Sequence, residues 1–424
     1  LNFIKTIART PLFKITSLNS ISILLKIGIG LITSKILAIF IGPSGMALSG
    51  NLRNFLTSTE SIATLGFQNG IVKYIVKNKD KEEELKKIIS TVFLSLITVT
   101  LLSSIVLFFF SSYWNDYIFG NTLEYASIFK ILALVLPWYV VTVFLLAIIN
   151  GLGKFKNVIY INIIGNSIGL IFSVFMIWQF RTFGALLSII IPPSLLFFVA
   201  FYFINKEIHF INSISTRFFD FQVLKNLSSY SLMALVSSVF GPLVFLAIRN
   251  NIIEKLGIES AGYWEAISRI STYYFMFISS ILTVYFFPKL AFATTKKATK
   301  NVFLSYYKGI LPLFIVGMVI LYFLRFFIVK LLFTNVFLPV TGLFFWQLLG
   351  DTFKAASLVL GYQFFAKKLT IAFIISETIS LVIMFFLSNY LIGIYQIEGV
   401  VMAHAINYFI YLIGLLFYFR KSLL

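Results

Sequence analysis

The chain has 424 residues, 59% hydrophobic and 12% charged, which is about half the charged fraction of a soluble globular domain. With a mean hydropathy of +0.97, this composition excludes a soluble fold and defines an all-α polytopic membrane protein. The formal net charge of +19 is no sign of nucleic acid, because the basic residues sit in short loops between apolar runs. The lack of cysteine removes disulfides and thiolate chemistry, and no cofactor or metal ion is expected.

Hydropathy predicts about twelve spans, each long enough for about 30 Å of hydrocarbon. In the first half they cover approximately 18–41, 45–76, 88–110, 123–149, 157–178 and 183–204. In the second they cover 227–250, 260–288, 303–323, 338–365, 370–389 and 397–419. The first run is too long for the core of a signal peptide and lacks a small-residue cleavage site, so it is expected to be the first span.

Charge orients the chain. Lys5, Arg9 and Lys14 precede the first span, Lys77 to Lys87 follow the second, and Lys154 and Lys156 follow the fourth. Lys206, Arg217 and Lys225 follow the sixth, Lys289 to Lys300 the eighth, Lys367 and Lys368 the tenth, and Arg420 and Lys421 the twelfth. The alternate loops hold little beyond Arg181, Lys255, Arg325 and Lys330. Positive-inside bias then predicts that both termini are cytoplasmic. The loop at 205–226 divides the chain into an N-terminal lobe, 1–210, and a C-terminal lobe, 211–424, of six spans each. FIGPSG before the second span echoes KLGIESAG before the eighth, an offset of about 215 residues that suggests internal duplication.

Several spans carry charge, which costs roughly 2.5–3.5 kcal/mol per residue at the bilayer centre. At 100° per residue, Ser49, Arg53, Thr57, Glu60 and Thr64 share one face of the second span, and Ser22, Lys26, Gly30 and Thr33 one face of the first. Glu265, Arg269 and Thr272 align in the eighth span, Gln347, Asp351 and Lys354 cluster in the tenth, and Glu377 and Ser380 align in the eleventh. Such faces are expected to meet around a hydrated central cavity. Each residue also has a structural reading. Glu265 with Arg269, and Asp351 with Lys354, have the spacing of intrahelical ion pairs. Lys35 has the position of a snorkelling residue, Lys73 and Arg249 lie near span ends, and Trp264 is expected in an aromatic belt. His404, alone on an apolar helix, is expected to be a packing residue. Pro242 is either a gate hinge or a packing kink.

Basic groups at membrane depth outnumber acidic ones. Lys26, Lys35, Arg53, Lys73, Arg249, Arg269 and Lys354 stand against Glu60, Glu265, Asp351 and Glu377, and the surplus favours an anionic, phosphate-bearing substrate. A drug or metabolite antiporter would more often have an acidic cavity. A membrane-embedded polymerase or ligase would be expected to carry a large catalytic outer loop, and SSYWNDYIFGNTLE is short.

The segment KIGIGLITSKILAIFIGPSGMALSGNLRNF resembles the first two spans of the Wzx flippases, within the multidrug/oligosaccharidyl-lipid/polysaccharide exporter superfamily. YSLMALVSSVFGP, GYWEAISRIS and FWQLLGDTFKAASLVLGY continue the likeness, which is strongest to the branch handling enterobacterial common antigen. The resemblance implies twelve helices in two six-helix lobes around a central cavity. It also implies an undecaprenyl-pyrophosphate-linked oligosaccharide as substrate, with membrane lipid, a polysaccharide polymerase and a chain-length regulator as further partners. The family's basic first-span positions match Lys26 and Lys35, its second-span pair matches Asn51 and Arg53, and its later polar positions match Gln347, Asp351, Lys354 and Glu377. Glu265 and Arg269 depart from that branch. Substrate-binding residues are therefore expected at Lys26, Lys35, Asn51, Arg53, Arg249, Arg269 and Lys354. Coupling or charge-pairing residues are expected at Glu60, Glu265, Asp351 and Glu377.

Overall fold

The computed structural model describes residues 11–121 and 124–423. Lys5 and Arg9, counted above with the first basic cluster, lie outside them. The described residues are almost wholly helical. In chain order the helices are α1 (Pro11–Phe40), α2 (Gly42–Ala63), α3 (Gln68–Asn78), α4 (Glu82–Phe109), α5 (Ser111–Phe119), α6 (Ala126–Gly151), α7 (Phe155–Asn205) and α8 (Phe221–Leu235). They continue as α9 (Gly241–Leu256), α10 (Ile258–Ile281), α11 (Phe287–Phe292), α12 (Lys296–Phe323), α13 (Arg325–Leu332), α14 (Val340–Ala366), α15 (Thr370–Tyr418) and α16 (Arg420–Leu423).

α7 and α15 are each two spans. Arg181 (φ 51°, ψ −125°) interrupts α7 and Gln396 (φ 51°, ψ −135°) interrupts α15. A β-carbon on Gly184 would collide with the carbonyl of Met176, and one on Gly399 with that of Leu391. In a straight helix residues eight apart are separated by about 12 Å, so the chain must double back at both places. Contacts farther along agree: Gly165 lies on Leu196, and Ser380 bonds Asn407 at 3.2 Å. Each hairpin therefore supplies two antiparallel arms. With each arm counted, and with the less apolar α2 and α14 added, the described residues hold twelve spans. α2 and α14 carry the charged faces at Arg53–Glu60 and Asp351–Lys354.

Two local expectations change. The run 45–76 is not one helix: Leu65 and Gly66 take positive φ (53° and 61°), ending α2 and starting the separate α3. Pro242 does not sharply break its span. It follows a π-helical turn, Val236–Phe240, which joins α8 to α9 just before a residue with no amide hydrogen to donate. A second π turn, Leu282–Phe286, precedes Pro288 and joins α10 to α11.

The suspected duplication is carried by the backbone. Gly42 and Gly257, Gly153 and Lys368, and Arg181 and Gln396 are pairs at the same offset, and all six have positive φ. In each half the fourth span is central. The α6 side chains Phe129, Leu132, Leu136, Val140 and Phe144 are buried, as are Phe344, Val359, Leu360 and Phe364 of α14.

By internal contacts the chain forms two compact units. One holds Asn51–Pro242 with the chain up to Thr33, and the other holds Ser34–Gly50 with Leu243–Leu424. In the first, α6 packs on α4, α3 and α7; in the second, α14 packs on α15, α12 and α10.

Candidate functional site

Within each unit the charged faces form networks. In the second unit, α9 and α10 bring Arg249, Glu265 and Arg269 together. Arg249 Nη2 donates to Glu265 Oε2 at 2.8 Å, and Arg269 Nε donates to Glu265 Oε1 at 3.0 Å. Arg269 Nη1 reaches Ser34 Oγ at 3.4 Å, and Ser34 shares a 2.6 Å hydrogen bond with Tyr273. All three charged side chains are less than 10% exposed. Two guanidiniums thus share one carboxylate, and the triad keeps a net positive charge in the interior. The Arg249 guanidinium also lies 5.1 Å from the centre of the Trp264 ring. Trp264 is therefore no belt residue: it is buried, with Phe245 stacked on its ring and Arg249 near it. Space for the triad depends on α2, because a β-carbon at Gly50 would run into Glu265 Oε2.

The i, i+4 pairing of Glu265 with Arg269 is as the spacing suggested. The matching expectation for Asp351 with Lys354 is not met at close range. Asp351, fully buried, instead pairs with His404, whose Nε2 donates to Oδ1 at 2.9 Å. Its other oxygen accepts from Ser271 Oγ at 2.6 Å, from Gln347 Nε2 at 3.1 Å and from the Tyr274 hydroxyl. His404 is thus a polar partner from the second arm of α15 rather than a packing residue. Only its place opposite a buried carboxylate reveals this, and the sequence around it gives no local signal. Lys354 turns the other way. Its ammonium lies 4.6 Å from the centre of the Phe275 ring and 5.3 Å from that of the Tyr408 ring. Glu377, on the first arm of α15, accepts from the Tyr411 hydroxyl of the second arm at 3.4 Å. A thread therefore runs from α10 through Asp351 of α14 to His404. Ring contacts of His404 with Tyr408 and of Tyr408 with Tyr411 carry it on to Glu377, joining both arms of α15.

Lys35 belongs to the same unit. Its ammonium donates to the carbonyl of Lys330 at 3.0 Å and to that of Phe333. It caps the C-terminal end of α13, where the helix dipole favours a cation.

In the first unit, Asn51 is buried and donates from Nδ2 to the carbonyl of Ile118 at 2.8 Å, tying α2 to the end of α5. Glu60 accepts from the Tyr139 hydroxyl and, at 3.4 Å, from Gln68. Arg53 is half-buried on α2, and Lys26 is exposed on α1. The predicted residues are thus brought together in two clusters of the second unit, while Asn51, Lys35 and Glu60 take separate partners.

Twelve spans in two similar halves, with charged networks at span depth, have the fold of the multidrug/oligosaccharidyl-lipid/polysaccharide exporters. A structure described as an inward-facing multidrug resistance MATE family transporter of the MOP superfamily superposes with a TM-score of 0.79, covering 94% of each chain at 12% identity. The lipid II flippase MurJ, in an inward closed conformation, gives 0.73 over 95% of this chain and 87% of its own, at 20% identity. The profile of the family described as polysaccharide biosynthesis protein matches residues 12–294, and the chain belongs to that family. The lipid III flippase of Escherichia coli (strain K12) is 28% identical over 391 residues, 92% of this chain and 94% of that protein. A lipid III flippase of Shigella flexneri matches to the same extent.

Proposed function

We propose that the protein is a flippase for an undecaprenyl-pyrophosphate-linked oligosaccharide, an O-antigen or enterobacterial common antigen repeat unit. It moves this lipid from the cytoplasmic to the periplasmic leaflet of the bacterial inner membrane, with both termini in the cytoplasm. The polyprenyl tail is at home in hydrocarbon, so only the head group needs a shielded polar path. The lobes 1–210 and 211–424 provide that path by alternating access. The likeness to lipid III flippases over most of the chain supports this substrate class.

The observation that carries the reading is the triad, in which Arg249 and Arg269 share the single carboxylate of Glu265. A buried site with surplus guanidinium charge suits a pyrophosphate and disfavours cationic drugs. Lys26, Arg53 and Lys354 are the cations proposed to follow the head group. Glu60, Asp351 and Glu377 are the acidic groups proposed to re-pair as the lobes move. Asn51 and Lys35 are assigned to hold the helices that present these groups.

Complementation tests the reading. Strains lacking individual flippases are transformed with the gene, and their surface glycans are separated on gels. Restoration of one lipid-linked glycan is the expected result. Failure to restore any glycan by a membrane-inserted protein would count against the proposal.

A further inference from the structure

Away from these networks, the two arms of α15 and the end of α14 enclose a groove of about 780 Å³. One wall is a stripe of isoleucines four residues apart, and Ile371, Ile375 and Ile379 are 75%, 54% and 54% exposed. The opposite wall is formed by Ile410, Gly414 and Tyr418. A β-carbon at Gly414 would meet nothing within 4 Å, so the groove is open at that point. Four of its polar wall groups have partners: Ser380 bonds Asn407, Tyr411 bonds Glu377, and Ser376 bonds the carbonyl of Phe373.

The mouth has a different chemistry. Lys368 lines it, exposed, at the end of the bundle that carries the basic loops. Leu369, Thr370 and Ala372 line it too, placing the N-terminus of α15 there with its orphan amides and positive dipole end. Arg420 and Lys421 follow the wall residue Tyr418 by two and three positions and are exposed. No carboxylate lines the groove among the described residues.

An apolar trough with a cationic lip fits an amphiphile with an anionic head. From Ile371 to Ile383 the isoleucine wall rises about 18 Å at 1.5 Å per residue, little more than half of a hydrocarbon core about 30 Å thick. That height suits a chain anchored in one leaflet and is short for a polyprenol crossing the midplane. We infer that this groove is a site for an anionic phospholipid. One acyl chain lies between the arms of α15, and the phosphate sits at Lys368 and the α15 N-terminus. Basic clefts between spans on this side of a membrane attract anionic lipids in the same way. Tyr411 forms part of the wall and bonds Glu377, so the occupant touches the outer end of the thread that leads through Tyr408 and His404 to Asp351.

The site is tested by native mass spectrometry of the full-length protein in detergent. It is titrated with phosphatidylglycerol, with phosphatidylethanolamine of the same acyl chains, and with undecaprenyl phosphate. Phosphatidylglycerol should be retained about fivefold better than phosphatidylethanolamine, the preference expected of one lysine near the headgroup. Gly414→Phe, which fills the groove from a helical position without backbone strain, should remove tight retention of both phospholipids. Lys368→Asn keeps a residue that tolerates the local φ of 56°. It should abolish the headgroup preference and leave chain retention intact, so the site remains testable even if Gly414→Phe proves unstable. Equal retention of the two phospholipids by the wild type, unchanged preference in Lys368→Asn, or displacement of both by undecaprenyl phosphate would each overturn the assignment. Because the readout is lipid retention, it is independent of whether the protein complements a flippase strain.

Discussion

At the scale of single residues, the triad makes an asymmetric prediction. Glu265→Gln leaves two buried guanidiniums without their counter-charge and should cost about 3–5 kcal/mol. Arg249→Gln leaves a neutral Arg269–Glu265 pair and should cost clearly less. Thermal unfolding of the purified variants ranks them, and an equal shift in both would contradict a shared carboxylate. At the second cluster, His404→Ala deprives the Asp351 carboxylate of one donor and should cost about 1–3 kcal/mol by the same assay. The charged residues themselves were legible in the sequence, and so was the i, i+4 pair of Glu265 with Arg269. Arg249 with Glu265, Asp351 with His404 and Lys35 with the end of α13 were not. Each joins residues from different helices, and helical periodicity assigns a face without naming the helix it meets.

Among the elements, the clearest strain lies at the two hairpin turns. Arg181 and Gln396 hold φ near 51° with strongly negative ψ, a region that glycine enters freely and side-chain-bearing residues enter at about 1–3 kcal/mol. Arg181→Gly and Gln396→Gly should therefore each raise the thermal midpoint. A lowered midpoint in both would mean that the side chains, not the backbone, hold the turns. Span positions were largely legible, because apolar runs and basic loops alternate along the whole chain. The split of 45–76 at Leu65 and Gly66 was hidden, since Thr-Leu-Gly-Phe keeps the run apolar and only the backbone dihedrals end the helix. The π turns before Pro242 and Pro288 were hidden for a related reason. Pro242 marked a place where its span must adjust, and a widened π turn is what stands before it.

For the whole molecule, the repeat was faintly visible as two glycine-bearing segments, and it becomes plain in three pairs of positive-φ residues at one offset. The compositional surplus of cations also survives in the structure as the two-arginine triad and as Lys354 in its aromatic setting. The proposed function rests on where that charge is kept, since guanidinium buried at span depth suits an anion. The most direct measurement reconstitutes the protein in liposomes and follows translocation of a fluorescent undecaprenyl-pyrophosphate-linked oligosaccharide, beside an organic cation, for wild type and Arg53→Ala. The wild type should move the lipid-linked sugar and ignore the cation, and Arg53→Ala should fold and insert but lose at least about tenfold in rate, the loss expected from one charge-assisted contact of about 1.5–3 kcal/mol. Transport of the cation in preference, or undiminished sugar translocation by the variant, would contradict the account.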